Sequence, residues 1–261
     1  MIKGVIFDLD GTLYYGNKLA HDAQDVLEIL RKNQIDIFYI TNNSTKSREE
    51  MAQKLISLGI PASSDKVYCS ASASVQFLLD RSLKKIYVIG SKNLENEIIS
   101  VGLELSSPSE CECILIGMDF DITYDKIYDA LTALENGALF VACNTDSNYL
   151  IENNILKPGC GAMVGAIVGA SKRQPDIIIG KPEINMIAQL MNDWNLNTDE
   201  LYIIGDTYES DVAMARKCGI AYSQIINNNA TLLNDERELH FHHDYEVRSL
   251  TEAVNKLLEL R

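Results

Sequence analysis

Two aspartates stand two residues apart near the start of the chain, in the run Val5-Ile6-Phe7-Asp8-Leu9-Asp10-Gly11-Thr12. The apolar residues read as a buried strand, and the carboxylates fall where it ends. Open α/β sheets bind ligands at the carboxyl ends of their strands, so Asp8 stands where chemistry is done. Gly11 permits a sharp turn, and Thr12 can hydrogen-bond backbone within it. With a magnesium ion between carboxylate and phosphate, one aspartate can attack phosphorus while the other handles the proton. The same residues also fit a plain Asp-Gly turn, so the reading depends on finding the remainder of a site.

Three further strand ends carry such residues. Residues 35–40 form an apolar run that ends in Thr41-Asn42-Asn43-Ser44. Residues 177–180 run into Lys181-Pro182, and residues 201–204 end at Gly205-Asp206-Thr207, with Asp211 shortly after. Four such endings on separate strands of one parallel sheet would converge on a single pocket at its carboxyl edge.

The elements that must position them alternate. Helical spacing of apolar residues marks segments 22–33, 47–58 and 71–83, and strand-like runs lie between them. The alternation restarts near Lys84, with strands at 86–90, 114–117 and 139–143, helices between them, and a glycine- and alanine-rich helix near 161–172. The rhythm of strand and helix predicts parallel sheets. A short core-like block at the C-terminal end adds a strand at 221–226 and a helix at 249–260.

Composition sets bounds. The 261 residues carry a net charge of −14, with 46% hydrophobic and 23% charged residues. That acidity argues against a nucleic-acid partner, which demands basic patches. It also repels phosphate esters at long range, so a bound cation and a few placed lysines must solve the problem locally. Met1-Ile2-Lys3 leads straight into the first strand, which reads as no signal peptide. The most lipid-like stretch, residues 161–170, falls short of the roughly 20 residues that span a bilayer. The expectation is a cytoplasmic protein with no membrane partner. The six cysteines lack the paired spacing of a zinc site and read as reduced thiols. His242 and His243 lie in an acidic stretch and read as solvated.

The set DLDGT (Asp8 to Thr12), TNNS (Thr41 to Ser44), GKPE with Lys181, and GDTYESD (Gly205 to Asp211) resembles the four motifs of the haloacid dehalogenase-like (HAD) hydrolases. The long insertion between Thr41 and Lys181, together with TNNS, GCGAM and GKPE, is most similar to subclass IIA, the NagD and p-nitrophenyl phosphatase group. One departure is that Leu19-Ala20-His21-Asp22 stands where that group usually has Pro-Gly-Ala. The resemblance implies an α/β fold: a Rossmann-like parallel-sheet core with helices on both faces, plus an inserted α/β cap of the C2 type. It divides the chain into a core at 1–81 and 176–261 and a cap at 82–175, hinged near 82–84 and 174–176.

The resemblance also implies roles. Asp8 is the nucleophile, and a free carboxylate with a pKa near ~3.9 is ionised at neutral pH without special help. Asp10 protonates the leaving group and then takes a proton from water. Mg2+ is held by Asp8, the backbone carbonyl of Asp10, and Asp206, with Asp211 as the carboxylate behind them. Thr41, Asn42, Asn43 and Lys181 bind the phosphoryl group, and Lys181 balances charge at Asp8. In the cap, Asn144, Asp146 and Cys160, the last in a loop spanning 157–163, are candidates for choosing the leaving group. The implied activity is Mg2+-dependent hydrolysis of a small phosphate monoester, such as a sugar phosphate or nucleoside monophosphate, through an aspartyl-phosphate. A homodimer through the cap is a further implication. The competing readings are a phosphate-accepting module of the receiver type and a phosphomutase using the same aspartyl-phosphate.

Overall fold

A computed structural model describes residues 1–151, 155–226 and 244–260; His242 and His243 lie outside them. In chain order, the N-terminal elements are strand β1 (Gly4–Asp8), strands β2 (Tyr14–Tyr15) and β3 (Lys18–Leu19), helix α1 (Ala23–Lys32), β4 (Asp36–Thr41), α2 (Arg48–Ser57), β5 (Val67–Cys69) and α3 (Ser70–Asp80). The middle of the chain forms β6 (Lys85–Ile89), α4 (Lys92–Ser100), β7 (Glu104–Leu105), β8 (Cys113–Ile116), α5 (Tyr124–Glu135), β9 (Leu139–Ala142), β10 (Asn148–Ile151), β11 (Ile155–Pro158), α6 (Cys160–Ser171) and β12 (Ile177–Ile178). The remainder forms α7 (Asn185–Trp194), β13 (Leu201–Gly205), α8 (Ala213–Cys218), β14 (Ala221–Ile225), β15 (Asp244–Val247) and α9 (Leu250–Glu259).

The chain divides into two compact units. The first comprises Met1–Thr41, Gln53–Val67 and Lys181–Arg261, and the second comprises Asn42–Ala52 and Tyr68–Gly180. The first is built on a sheet of order β15-β14-β13-β1-β4-β5. Strand β1 lies at its centre, parallel to β4 on one side and β13 on the other. All five residues of β1 and all five of β13 are buried, as an inner strand covered on both sides requires. Helix α1 presents Ala23, Val26, Leu27 and Leu30 to the interior, the i, i+3, i+4, i+7 stripe legible in the sequence. Helix α9 buries Leu250, Ala253, Val254 and Leu257 in the same pattern, and the Ser249 side chain caps it by accepting from the Glu252 N–H.

The second unit has its own five-stranded sheet, order β12-β9-β8-β6-β7, with every pairing parallel. Ile89, Ile114, Ile116 and Phe140 of this sheet pack with Ala130 and Leu134 of α5 and with Met163, Val164 and Ile167 of α6. Two expectations need correction here. Strand β12 was to end with Lys181 on the same sheet as Asp8, but Ile177 and Ile178 pair with Val141 and Ala142 of β9. Lys181 is reached through the short link that follows. Segment 157–163 was to be a loop, but Ile155–Pro158 pairs antiparallel with Asn148–Ile151, and α6 begins at Cys160. Among the described residues, no helix is long and apolar enough to cross a membrane.

Strand β13 ends just before Asp206, and Ile204 within it is fully buried beside Phe7 of β1. We predict that Ile204→Ala lowers unfolding free energy by about 2–5 kcal/mol in chemical denaturation. A loss below about 0.5 kcal/mol, the range of surface substitutions, would contradict this packing.

Candidate active site

Within the first unit, β1 ends at Asp8 and β13 ends just before Asp206, and the two strands are neighbours. Their carboxylates therefore emerge at one edge. A single π-helical turn, Tyr208–Val212, follows Asp206 and brings Asp211 back toward the strand end. The Thr207 N–H donates to Asp211 Oδ2 at 3.1 Å, which closes that turn. Asp8, Asp206 and Asp211 each offer a carboxylate oxygen, and these lie within 4.8 Å of one another.

Two glycines permit this crowding. A Cβ on Gly205 would collide with the Asp211 side chain, and one on Gly11 would collide with the Asp206 carboxylate. Gly11 also holds a φ of +95°, the left-handed region that glycine occupies at little cost.

The Lys181 ammonium sits in this cluster. It donates to Asp8 Oδ1 and, at 2.7 Å, to Asp211 Oδ1. Lys181, Asp8 and Asp211 are all buried. Burial opposes the Lys181 charge, but the Asp211 and Asp8 carboxylates outweigh it and raise its pKa, so the ammonium stays protonated.

The carboxylates show the opposite balance. Burial pushes Asp8 well above the usual carboxylate range; Lys181 pulls it back, and Asp211 and Asp206 push it up further. Burial also lifts Asp206 to about 6, with the Asp211 charge adding to the rise. The expectation that Asp8 ionises without help is therefore corrected. Desolvation and like charges oppose its ionisation, and Lys181 alone does not offset them.

A hard dication suits this site. The donors are carboxylate oxygens, with the Thr12 and Thr207 hydroxyls 3.4 and 3.3 Å from Asp206 Oδ1. Oxygen-only ligation is what Mg2+ takes, and its charge would relieve the repulsion that raises Asp8 and Asp206.

The other expected residues fall as follows. The Asp10 side chain lies outside this carboxylate cluster and bonds to Tyr14, whose hydroxyl donates to Asp10 Oδ2 at 3.0 Å. Thr41 is buried at the end of β4. Asn42 and Asn43 belong to the second unit. There Asn43 Oδ1 accepts from the Thr45 N–H and hydroxyl, which shapes the loop. Asn42 Nδ2 donates to both Asp146 carboxylate oxygens at 3.0 and 3.1 Å. Asn144 is buried, donates to the Asn42 carbonyl, and accepts from the Asp146 N–H. Cys160 is buried in the second unit's core, and burial pushes its thiol up to about 12.

Comparison with known proteins shows the family. The haloacid dehalogenase-like hydrolase pattern matches residues 5–104, and a HAD-hydrolase-like pattern matches residues 178–253. A Staphylococcus haemolyticus protein named acid sugar phosphatase is 30% identical over 98% of this chain and 96% of its own. A Staphylococcus saprophyticus protein of the same name is 34% identical, over 80% of this chain and 81% of its own.

The chain belongs to the haloacid dehalogenase-like hydrolases. Both of these relatives of the HAD hydrolase are named as phosphatases. Its fold matches that of a p-nitrophenyl phosphatase from Archaeoglobus fulgidus, with a TM-score of 0.88 over 97% of this chain and 98% of that one; at 24% identity this likeness speaks for the fold alone. Family membership favours hydrolysis over the receiver-type module.

Sequence reasoning did not single out Tyr14 or Lys54. Lys54 Nζ lies 3.8 Å from Asp10 Oδ1 and 3.9 Å from the centre of the Tyr14 ring. Tyr14 had a local signal, four residues after Asp10 in a tight hairpin, but Lys54 had none.

The pKa directions generate a prediction. Asp206 titrates near 6 in the fold and near 3.9 when unfolded. A carboxyl raised on folding favours the protonated native state, so its contribution to cation-free stability falls as pH rises between these values. Cation binding needs the carboxylates and strengthens over the same range. Thermal unfolding should therefore show a small rise in Tm on adding Mg2+ at pH 5 and a larger one at pH 7. Equal rises at both pH values would contradict the assignment of Asp206 as a ligand.

Proposed function

We propose that this HAD hydrolase is a Mg2+-dependent phosphatase that hydrolyses small phosphate monoesters through an aspartyl-phosphate on Asp8. The observation that carries the reading is the buried Lys181 ammonium shared by Asp8 and Asp211, with Asp206 within ligand distance of both. Mg2+, when bound, supplies charge neutralisation and a fixed phosphate position. Asp8, Asp206 and the Asp10 carbonyl would hold it, with Asp211 supporting them.

An Asp8 oxygen attacks phosphorus, the ester P–O bond breaks, and Asp10 delivers its proton to the departing alkoxide. Water then attacks the phosphoryl group, Asp10 takes the water's proton, and the bond to Asp8 breaks. Lys181 holds Asp8 in place and offsets the charge that gathers during transfer. The Thr41 hydroxyl is the proposed donor to phosphoryl oxygens. Residues 82–175 are the proposed cap insertion. The substrate class is small and soluble, with sugar phosphates favoured by the names of the staphylococcal relatives. The six thiols, none of them disulfide-bonded, suit a reducing cytoplasm.

A screen of phosphorylated metabolites with Mg2+, reading released phosphate, should find turnover on at least one alkyl phosphate. Asp8→Asn should abolish turnover on that ester and on p-nitrophenyl phosphate alike. Retention of more than about one part in 10² of native kcat would exclude Asp8 as nucleophile, since loss of a covalent nucleophile costs far more.

A further inference from the structure

The reading above assigns proton transfer to Asp10 but leaves open what aims it. The Asp10 side chain is 55% exposed. An exposed carboxylate samples several rotamers, and proton transfer needs one of them. Tyr14, by contrast, is wholly buried.

The Tyr14 backbone is fixed from several directions. Its carbonyl accepts from the Gly11 N–H at 2.9 Å, and its N–H donates to the Leu9 carbonyl at 3.2 Å. It also pairs with Leu19 across the β2–β3 hairpin. From that fixed place its hydroxyl donates to Asp10 Oδ2 at 3.0 Å. Burial, and then the Asp10 charge, raise the Tyr14 pKa, so the hydroxyl remains a donor. Lys54, from α2, lies over the ring and faces the other Asp10 oxygen. At 3.8 Å it acts through charge rather than a hydrogen bond.

We infer that Tyr14 is the positioning residue for Asp10: its buried hydroxyl selects the carboxylate rotamer that serves the leaving group, with Lys54 assisting from the far side. Tyr14 itself touches no reacting atom. The inference rests on the proposed acid–base role of Asp10, and the test separates the two.

Leaving groups supply that separation. Expulsion of p-nitrophenolate, a stable anion, needs no proton, whereas expulsion of an alkoxide does. Tyr14→Phe keeps the ring and removes only the hydroxyl. It should lower kcat on the fastest alkyl phosphate from the screen by about tenfold, a share of the ~10²–10⁴ that general acid catalysis supplies. KM should stay near native, and the pre-steady-state burst of p-nitrophenolate should change by less than about twofold.

In an Asp10→Asn background, Tyr14→Phe should cost nothing further, because a residue acting only through Asp10 has nothing left to position. Tyr39→Phe removes another buried tyrosine hydroxyl, one that donates to the Pro61 carbonyl, and should move neither rate. Asp10→Glu, whose longer side chain misaligns the carboxylate with Tyr14, provides a second route should Tyr14→Phe fold poorly. It should show the same selective loss.

Equal losses on both substrates, an additive loss in the Asp10→Asn background, or full alkyl turnover in Tyr14→Phe or Asp10→Glu would overturn the inference. Asp10→Asn that shows no preference between leaving groups would instead remove the acid–base role of Asp10, and the Tyr14 inference with it.

Discussion

Lys181 buried between two carboxylates is the interaction on which the rest of the site depends. Taking an ammonium and several carboxylates out of water is costly, and their attraction repays the cost only when geometry is good. Here the pairs are formed by residues 173 and 30 positions apart in the chain, Asp8 with Lys181 and Lys181 with Asp211. Neither pair can form until folding brings these distant segments together. Burial first, and then the surplus negative charge that three carboxylates leave around one ammonium, lift Asp8 and Asp206. Among the described residues, that surplus falls on three carboxylates that could together hold a metal ion.

A positive centre at this site would resolve a tension in the composition. A chain with a net charge of −14 repels phosphate esters at a distance. Locally, the Lys181 ammonium beside Asp8, joined by the proposed dication, would invert the field where a phosphoryl group has to sit. The hydrophobic runs of β1 and β13 exclude water beneath the charges, and this strengthens each electrostatic interaction there. Core packing and chemistry are thus two consequences of the same strands.

Much of the architecture was legible in the chain. The run Val5-Ile6-Phe7 reads as a buried strand, and the alternation of such runs with helical stripes points to parallel sheets. Asp8 and Asp206 were expected at one sheet edge because each follows an apolar run, whereas Asp211 was marked only by its motif. What could not be read locally depended on pairing. Ile177 and Ile178 look like any apolar strand, and nothing in their types says that β9 takes them instead of the sheet that carries Asp8. The protonation balance of Asp8 was hidden for the same reason, because desolvation and the approach of residues some 200 positions away set it. Lys54 approaches Asp10 only after α2 has packed, so no motif marks it.

The direct test of the central claim is a crystal structure of the protein grown with Mg2+, or with Mn2+ for its stronger anomalous signal. The account predicts one octahedral ion at this strand edge, with oxygens of Asp8 and Asp206 about 2.0–2.1 Å from Mg2+ and Lys181 still bonded to Asp8. An ion bound elsewhere in a fully occupied crystal, or none at saturating Mg2+ with these carboxylates unmoved, would contradict it.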